Sequence, residues 1–318
     1  MKKILDIIKK IYIKKYKDVS IIKFTEDKII FFDNEIIMEF PFENTLNCII
    51  KTDILLKLFG QKWSNDLIIT RENNNLTFKK NKLKIEIPFV NIEKEITKYH
   101  YYNWKVIPSD LMEGLKICSS YIANEGILSC FFIIDNHIYT SDNYSAIKYA
   151  INECIQPPFL LPIDIYKRIK NITFTHYDID ETIIYLTDGN FILHIPQINA
   201  EFLEKLVSLF NNIKVVKRIS ITNEMKDMLI RVGALINVEK DREKRFITME
   251  SKNDILSCSF QHDEGNVIES CICINPDFKI RFDPCVFPMN LDFFIISSTF
   301  LCFLYDKYIY LLSLIREE

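Results

Sequence analysis

Hydrophobic and polar residues alternate along much of the chain with the period of two that half-buried β-strands require. Alternating segments at 19–24, 28–33 and 35–40 predict three strands, with a hairpin turn at Asp33-Asn34. The preceding segment, 1–16, has helical periodicity instead, because one face collects the apolar residues Ile4, Leu5, Ile8, Ile11 and Tyr12. The chain therefore opens with an amphipathic helix that leads into antiparallel strands.

A longer pattern occurs three times along the chain. The middle copy, 159–199, has a short apolar lead, a helix-like piece and two alternating strands joined by a polar turn. Similar stretches end near Asn91 and near the C-terminus, at a period of about 105 to 110 residues, which is a common size for a domain. We therefore predict three similar domains, over 1–103, 104–215 and 216–318.

Each predicted domain has the order helix, three strands, short helix, two strands. This order predicts the α+β class, with two helices packed on antiparallel sheet in each domain. The second domain opens after Pro108 with a helix whose apolar face comprises Leu111, Leu115, Cys118 and Ile122. In the third domain, Thr222 or Asn223 caps a helix whose apolar face comprises Met225, Met228, Leu229, Val232 and Ile236.

The composition of the 318-residue chain fits a folded protein, with 48% hydrophobic and 26% charged residues. The formal net charge of −3 excludes a global basic field, so any DNA contact has to come from basic residues segregated onto one surface. The nine cysteines lie mostly in apolar runs, which predicts buried free thiols in a reducing compartment. The longest apolar run, 293–305, is too short to span a bilayer and the N-terminus lacks signal-peptide features, which predicts a soluble, cytoplasmic protein.

No pattern of residues indicates catalysis or a metal site. The five histidines are scattered without metal-ligand spacing, and Cys271 and Cys273 lie on one face of a predicted strand without a second pair. Nucleophile-elbow and phosphate-loop motifs are absent, and glycine is scarce. We therefore predict a protein that is not an enzyme and needs no cofactor and no metal. An enzyme with an unrecognised site, for instance a nuclease accessory protein, stays open as an alternative.

Three stretches carry a resemblance to a known family: "IYTSDNYSAIKYA" at 138–150, "FLLPIDIYKRIKNI" at 159–172 and "ISITNEMKDMLIRVGALI" at 219–236. With the order of elements and the three copies, they resemble the bacterial-type DNA polymerase sliding clamps, or beta clamps, over essentially the whole chain. Asn143 and Ser145 stand where the family's turn favours Gly and a nearby Arg. The ending "LLSLIREE" replaces the family's usual C-terminus, and the chain starts almost directly with its helix. These departures suit a divergent phage-like or mobile-element member.

The resemblance implies a homodimeric ring of six domains that encircles double-stranded DNA without reading its sequence. Helices on the inner wall would then carry basic residues toward the phosphates, because phosphate contacts position a protein without specifying sequence. The candidate DNA-binding residues are Lys2, Lys3, Lys9, Lys10, Lys14, Lys57, Lys62, Lys116, Lys167, Arg168, Lys170, Lys226 and Arg231. Each basic helix taken alone also fits an ordinary solvated surface.

The resemblance also implies a hydrophobic pocket where a DNA polymerase and a clamp loader insert short peptide motifs. By position, one wall would be Ser141, Asn143, Ser145 and Ala146, and the other would be Leu311, Leu312, Leu314 and Ile315. The alternative for the second wall is that this apolar strand belongs to the core. A further alternative for the whole protein is a scaffold or adaptor that uses the clamp fold without encircling DNA.

Overall fold

The computed structural model of the chain describes residues 1–59, 68–72, 75–80, 82–91, 101–198, 203–236, 245–262 and 265–315. The α-helices in these residues are α1 Lys2–Ile11, α2 Thr52–Phe59, α3 Leu111–Cys118, α4 Ile163–Ile169, α5 Leu203–Asn211 and α6 Asn223–Ile236. The first eleven strands are β1 Ile21–Phe24, β2 Lys28–Phe32, β3 Ile37–Pro41, β4 Cys48–Lys51, β5 Ile68–Glu72, β6 Asn75–Lys80, β7 Leu83–Pro88, β8 Val90–Asn91, β9 Lys105–Val106, β10 Cys130–Ser141 and β11 Ser145–Pro162. The other strands are β12 His176–Ile179, β13 Ile183–Thr187, β14 Ile192–Pro196, β15 Lys217–Ser220, β16 Ile247–Lys252, β17 Ile255–His262, β18 Gly265–Ile272, β19 Phe278–Phe282, β20 Phe293–Ile296, β21 Phe300–Leu304 and β22 Tyr308–Ser313.

The opening of the chain follows the sequence pattern closely. Leu5, Ile8 and Ile11 form the buried face of α1, as the helical period predicts. The helix ends at Ile11, earlier than predicted, because Tyr12 has extended backbone angles (φ −65°, ψ 129°), and a separate 3₁₀ turn follows at Lys14–Tyr16. The three predicted strands are present as β1, β2 and β3, which pair in antiparallel order.

The opening helix of the third predicted domain is also confirmed. The Thr222 hydroxyl accepts a hydrogen bond from the Met225 N–H at 3.2 Å, which is the side-chain cap that the sequence predicts. All five residues of the predicted apolar face of α6 are buried: Met225, Met228, Leu229, Val232 and Ile236. They pack into a core that also contains the aromatic side chains Phe282, Phe287, Phe294, Phe303 and Tyr310.

The chain divides into two compact units. Unit 1 comprises 1–112 and 156–199, and unit 2 comprises 113–155 and 200–318. Unit 1 holds a nine-stranded sheet in the order β8-β4-β1-β2-β3-β14-β13-β12-β9 and a three-stranded sheet in the order β5-β6-β7. Unit 2 holds a six-stranded sheet in the order β10-β11-β22-β21-β20-β15 and a four-stranded sheet in the order β18-β17-β16-β19.

Each wide sheet joins strands from two consecutive predicted domains. In the nine-stranded sheet β3 pairs with β14, the last strand of the second predicted domain, and Ile192 lies opposite Glu39. In the six-stranded sheet β11 pairs with β22, the last strand of the third predicted domain, and Ser145 lies opposite Leu312. Both junctions are antiparallel, which supports the antiparallel part of the fold prediction. The division into three domains stays a prediction, because each compact unit combines residues from more than one predicted domain.

Two details of the predicted repeat are wrong. The second part of each copy contains three strands where the alternation predicts two: β5 to β7, β12 to β14 and β20 to β22. The predicted second helix of the third domain is a three-residue 3₁₀ turn at Pro284–Val286, in which the Asp283 side chain accepts from the Cys285 N–H at 2.9 Å. Pro288 lies two residues beyond this turn, and a proline without an N–H disfavours a longer helix there.

All nine cysteines lie among the described residues, and six are buried free thiols: Cys48, Cys118, Cys130, Cys258, Cys273 and Cys302. Burial raises the pKa of Cys258 to about 12. A thiol with so high a pKa is almost entirely protonated at neutral pH, and the thiolate is the reactive form. Cys154 and Cys285 are exposed, and Cys271 is half-buried with a pKa that burial raises.

We expect a thiol reagent at mildly alkaline pH to modify Cys154 and Cys285 rapidly in the native protein, because these two side chains are exposed. Cys271 should react more slowly, and the buried thiols should react only after unfolding. Quantitative labelling with mass spectrometry would identify the modified residues. Rapid modification of Cys118 or Cys258 in the native protein would contradict the burial described above.

Among the described residues, no helix combines the length and the apolar composition needed to cross a membrane.

Candidate functional site

The lysines predicted on the first helix lie on its solvent face. Lys2, Lys3, Lys9 and Lys10 of α1 are exposed, and so is Lys14 in the 3₁₀ turn that follows. They occupy this face because Leu5, Ile8 and Ile11 turn toward the core on the other side of the helix. Lys9 and Lys10 also lie in the last turn of α1, where a positive charge interacts favourably with the helix dipole. The first helix therefore presents a basic surface, as the sequence predicts.

Several other predicted DNA-binding residues are paired with carboxylates. Lys57 Nζ lies 3.1 Å from Asp53 Oδ2 on α2, and Lys167 Nζ lies 3.2 Å from Asp164 Oδ1 on α4. Arg231 Nε of α6 donates to Glu269 Oε1 on β18 at 2.8 Å. These exposed pairs are weak, but each carboxylate offsets the positive charge of its partner.

The remaining candidates differ in exposure. Lys116 on α3 and Lys170 after α4 are exposed, whereas Lys226 on α6 is half-buried. Lys62 lies outside the described residues. Positive charge is thus densest on α1 and in the 3₁₀ turn after it.

The structure contradicts the prediction for Arg168. Its side chain is 3% exposed, and its guanidinium binds Asp33 Oδ2 and, at 2.9 Å, Glu35 Oε2. Its Nε also donates to the Ile11 carbonyl at the end of α1, at 2.9 Å. A guanidinium that is buried and already bound to two carboxylates and a carbonyl has no donor directed at a DNA phosphate. Arg168 instead joins α4 to the end of α1 and to the turn between β2 and β3.

The turn that carries one wall of the predicted partner pocket is tightly hydrogen-bonded. Asp142 Oδ1 accepts from the Ser145 N–H at 2.7 Å and from the Tyr144 N–H at 3.1 Å. Asn143 adopts φ 75°, a left-handed conformation that glycine and asparagine tolerate best. Asn143 can therefore occupy the position where the resembling family favours Gly. The Tyr144 carbonyl accepts from the Ser313 N–H at 2.8 Å, which holds this turn against the end of β22.

A cleft of about 440 Å³ lies at the end of β22 in unit 2. It is lined by Lys279, Ile280, Arg281, Ser298, Thr299, Ser313, Leu314 and Ile315. Backbone bonds assemble it, because the Ile315 N–H donates to the Arg281 carbonyl at 2.8 Å and the Leu314 N–H donates to the Thr299 carbonyl at 2.9 Å. The Arg281 guanidinium lies over the Phe246 ring at 4.1 Å, and its buried Nε has no hydrogen-bond partner among the described residues. The cleft combines apolar side chains with the guanidinium of Arg281.

Six of the eight predicted pocket residues either line this cleft or are buried. Leu314 and Ile315 line the cleft, whereas Leu311 and Leu312 are fully buried and Leu312 belongs to the core of unit 2. The two remaining small residues, Ser145 and Ala146, are buried opposite them in the β11–β22 ladder.

The prediction that Ser145, Ala146, Leu311 and Leu312 form walls open to a partner is therefore wrong, because all four side chains are buried. Ser141 is half-buried and Asn143 is exposed, and neither lines the cleft. Sequence reasoning missed the contribution of β19 and of the turn between β20 and β21, which supply Lys279, Arg281, Ser298 and Thr299.

No protein-family model and no curated protein matches the sequence. The fold, in contrast, matches solved structures over almost the full length of both chains. The DNA polymerase III subunit beta of Pseudomonas aeruginosa aligns with a TM-score of 0.74 at 12% identity, covering 99% of this chain and 97% of that one. The DNA polymerase III beta chain of Streptococcus pneumoniae aligns with a TM-score of 0.71 at 13% identity, with coverage of 99% and 97%. The Helicobacter pylori beta clamp bound to a DNA ligase peptide aligns with a TM-score of 0.67 at 12% identity, again covering 99% and 97%.

This chain therefore has the mixed helix and sheet fold of the DNA polymerase III beta sliding clamps, which confirms the resemblance drawn from its sequence. At these low identities the likeness establishes the fold.

Proposed function

We propose that this protein is a DNA sliding clamp, a processivity factor without enzymatic activity or cofactor. Two copies form a ring around double-stranded DNA, independently of sequence, and tether the replicative polymerase and the clamp loader through short peptide motifs. The observation that carries this proposal is the match in fold to beta sliding clamps, which extends over 99% of this chain and 97% of theirs. A divergent phage-like or mobile-element origin fits the low identity, and a cytoplasmic location fits the role.

The sheet order supports a two-chain ring. Within one chain, β3 pairs with β14 and β11 pairs with β22, so an edge strand from one copy of the repeat meets the last strand of the next copy. Strand β18 occupies the same position in the sheet order of the third copy as β3 does in the first, and β7 is the last strand of the first copy. By the same rule, β18 of one chain pairs with β7 of a second chain. Two such junctions close a ring and cover both edges.

A topological assay tests encirclement. The protein is diluted in the presence of nicked circular DNA and concentrated again, so that rings close around the duplex, and the mixture is then filtered at about 1 M salt, where the Debye length is about 3 Å. Electrostatic contacts fail at this ionic strength, so we expect the protein to remain with circular DNA and to leave once a restriction enzyme linearises it. Release from circular DNA before cutting, or retention after cutting, would count against a closed ring.

Replacing Lys3, Lys9 and Lys10 with glutamine should weaken binding to duplex DNA of any sequence. Each lost phosphate contact should make the negative slope of log affinity against log salt shallower by about 0.9, because fewer counterions are released on binding. Fluorescence anisotropy across a salt series measures both quantities. The apolar face of α1 is unchanged in this variant, so the fold should be retained.

A matched variant carries the same loss of charge elsewhere. Lys51, Lys214 and Lys252 are exposed and lie outside the candidate helices, so their replacement with glutamine changes the net charge equally. This control should bind DNA with the salt slope of the unmodified protein. Equal losses in the two variants would mean that overall charge, and not the surface of α1, determines binding.

The cleft at the end of β22 is the proposed docking site for partner peptides. Apolar peptide side chains would contact Leu314 and Ile315, and the Arg281 guanidinium would donate to a peptide carbonyl or carboxylate. We expect a DNA ligase peptide of the kind bound by the Helicobacter pylori clamp to bind saturably, as measured by isothermal calorimetry. Replacing Ile315 with arginine should weaken this binding at least about tenfold, because it removes apolar contact and adds a charge beside Arg281.

The control for the cleft is Ile230→Arg, which places the same charge at an exposed isoleucine of α6 that does not line it. This variant should bind the peptide with unchanged affinity. If Ile315→Arg binds as tightly as the control, or if neither the unmodified chain nor the variants bind, the assignment of the cleft is wrong.

A second candidate function is a scaffold or adaptor that does not encircle DNA. It is favoured by the carboxylates that offset Lys57, Lys167 and Arg231 and by the burial of Arg168, which together reduce the positive charge available to DNA. If the protein is a scaffold, replacing Lys3, Lys9 and Lys10 should not change its function. The protein should then also dissociate from circular DNA at high salt. The lysine variant and the topological assay therefore separate the two functions.

A further inference from the structure

The three copies of the repeat differ in whether a further strand pairs with one edge of the sheet. In the second copy, β12 is covered by β9, and Lys105 and Val106 lie opposite Tyr177 and His176. In the third copy, β20 is covered by β15 over the full register from Lys217 to Ser220. Both covering strands come from the chain just before the opening helix of the same copy, α3 and α6.

The equivalent strand of the first copy is β5, as the sheet orders β14-β13-β12-β9, β22-β21-β20-β15 and β7-β6-β5 indicate. Among the described residues, β5 pairs with β6 alone, and no strand lies on its other side. Ile68 at the start of β5 is 64% exposed, and the neighbouring Ile69 is half-buried. An edge strand presents a row of backbone N–H and C=O groups that another strand can pair with.

The two isoleucines differ from the charged residues at the other end of β5 and on its neighbouring strands. Glu72 binds Lys79 Nζ at 2.5 Å, and Lys84 binds Glu86 at 2.5 Å, so the charges on the neighbouring strands are already paired. Ile68 and Ile69 leave apolar surface next to the open edge, one on each face of the sheet. An incoming strand with β-branched apolar residues would cover both.

We propose that the open edge of β5 is a strand-addition site that binds an extended segment of a partner protein carrying β-branched apolar residues. The repeat supports this occupant, because extended segments containing Val106 and Ile219 cover the equivalent edges in the other two copies. A second copy of this chain is the weaker occupant, since the proposed function places it at β7, on the opposite edge of the same three-stranded sheet. Main-chain hydrogen bonds would supply most of the affinity, and pockets for alternate side chains would supply the specificity.

A peptide from this chain is the probe for the site. Residues 214–222 contain β15, the longer of the two covering segments, and their sequence is KVVKRISIT. Hydrogen exchange of the full chain is measured with and without this synthetic peptide. We expect exchange in 68–72 to slow at least about tenfold, because new cross-strand hydrogen bonds protect amides. Exchange in 83–88 and 265–272, the proposed edges between two chains, should not change.

A control peptide carries proline in place of both Arg218 and Ile219, which removes N–H groups from both edges of the strand. It should give no protection. A covalent form tests the same edge without a binding step: a chain with residues 214–222 grafted in front of Lys2, as β15 stands in front of α6. The graft should protect 68–72 by itself and abolish the effect of the peptide.

Three results would overturn the proposal. The first is unchanged exchange in 68–72 with both the peptide and the graft. The second is protection by the peptide at 83–88 or 265–272 instead. The third is protection of 68–72 without peptide that equals that of β6 or rises with protein concentration, since the chain itself or a second copy would then cover the edge. None of these results bears on retention on circular DNA, so failure here is distinguishable from failure of the proposed function.

Discussion

Replacing Ile268 and Ile272 of β18 with lysine should convert the proposed two-chain particle into single chains. Both residues are on the outward face of the strand, 72% and 81% exposed, so the change should hardly affect folding of one chain. Among the described residues, β18 pairs only with β17, which leaves its other edge open for a second chain. Lysines on an edge strand oppose pairing, because association would bring their charges out of water. Sedimentation across a concentration series measures the change.

The matched control is Val106→Lys on β9, another exposed β-branched residue on an edge strand, 64% exposed. This variant should remain a two-chain particle. If the Val106→Lys variant also dissociates into single chains, the two chains associate through general hydrophobic contact, and the result does not assign the interface to β18. If the lysine variant of β18 stays paired, or if the unmodified chain is single at micromolar concentration, the proposed junction between β18 and β7 is wrong.

Replacing Arg168 with methionine should lower the free energy of unfolding by about 3 kcal/mol, because it leaves buried carboxylates without their cation. Asp33 is fully buried, and its Oδ1 is already occupied by the N–H groups of Glu35 and Ile36, at 2.9 and 3.1 Å. Loss of the guanidinium also leaves the Ile11 carbonyl without its donor. Urea unfolding followed by circular dichroism measures the loss.

Two further variants identify the cause. Lys167→Met, one residue away on α4, removes an exposed cation with its i,i+3 partner Asp164, and should change stability by less than about 0.5 kcal/mol. Combining Arg168→Met with Asp33→Asn should recover part of the loss, since the amide oxygen can still accept both N–H groups while the buried charge is gone. An equal loss for Arg168→Met and Lys167→Met would refute the buried network.

The loss of stability in Arg168→Met should also affect DNA binding indirectly. Arg168 holds the end of α1, and α1 carries the exposed lysines proposed to face DNA. Arg168 is therefore a positioning residue in the proposed function, although the sequence alone suggested a phosphate contact. This change of role has a physical reason: a helix of alternating apolar and charged residues does not reveal which charged residue meets carboxylates from a distant turn.

The sequence predicted only part of the cleft that is proposed to bind partner peptides. The apolar ending drew attention to Leu314 and Ile315, which do line it. Leu311 and Leu312 have the same composition, but they are in the middle of a ladder with β11 and are buried. Arg281 and Thr299 join the cleft because their carbonyls accept from Ile315 and Leu314. These contacts link residues that are far apart in the sequence, so a local sequence pattern does not predict them.

By itself, the sequence determined the first three strands and the buried faces of the amphipathic helices α1 and α6, because burial on one face imposes periods of 2 and 3.6 on the residues. It also carried the resemblance to the sliding clamps that the fold confirms. Tertiary structure alone decided how strands of different copies join into wide sheets, which charges are paired, and which edges stay open. Those features depend on contacts between segments that are far apart in the sequence. The period of a local pattern shows which face of a strand is buried, but it does not show which strand pairs with it.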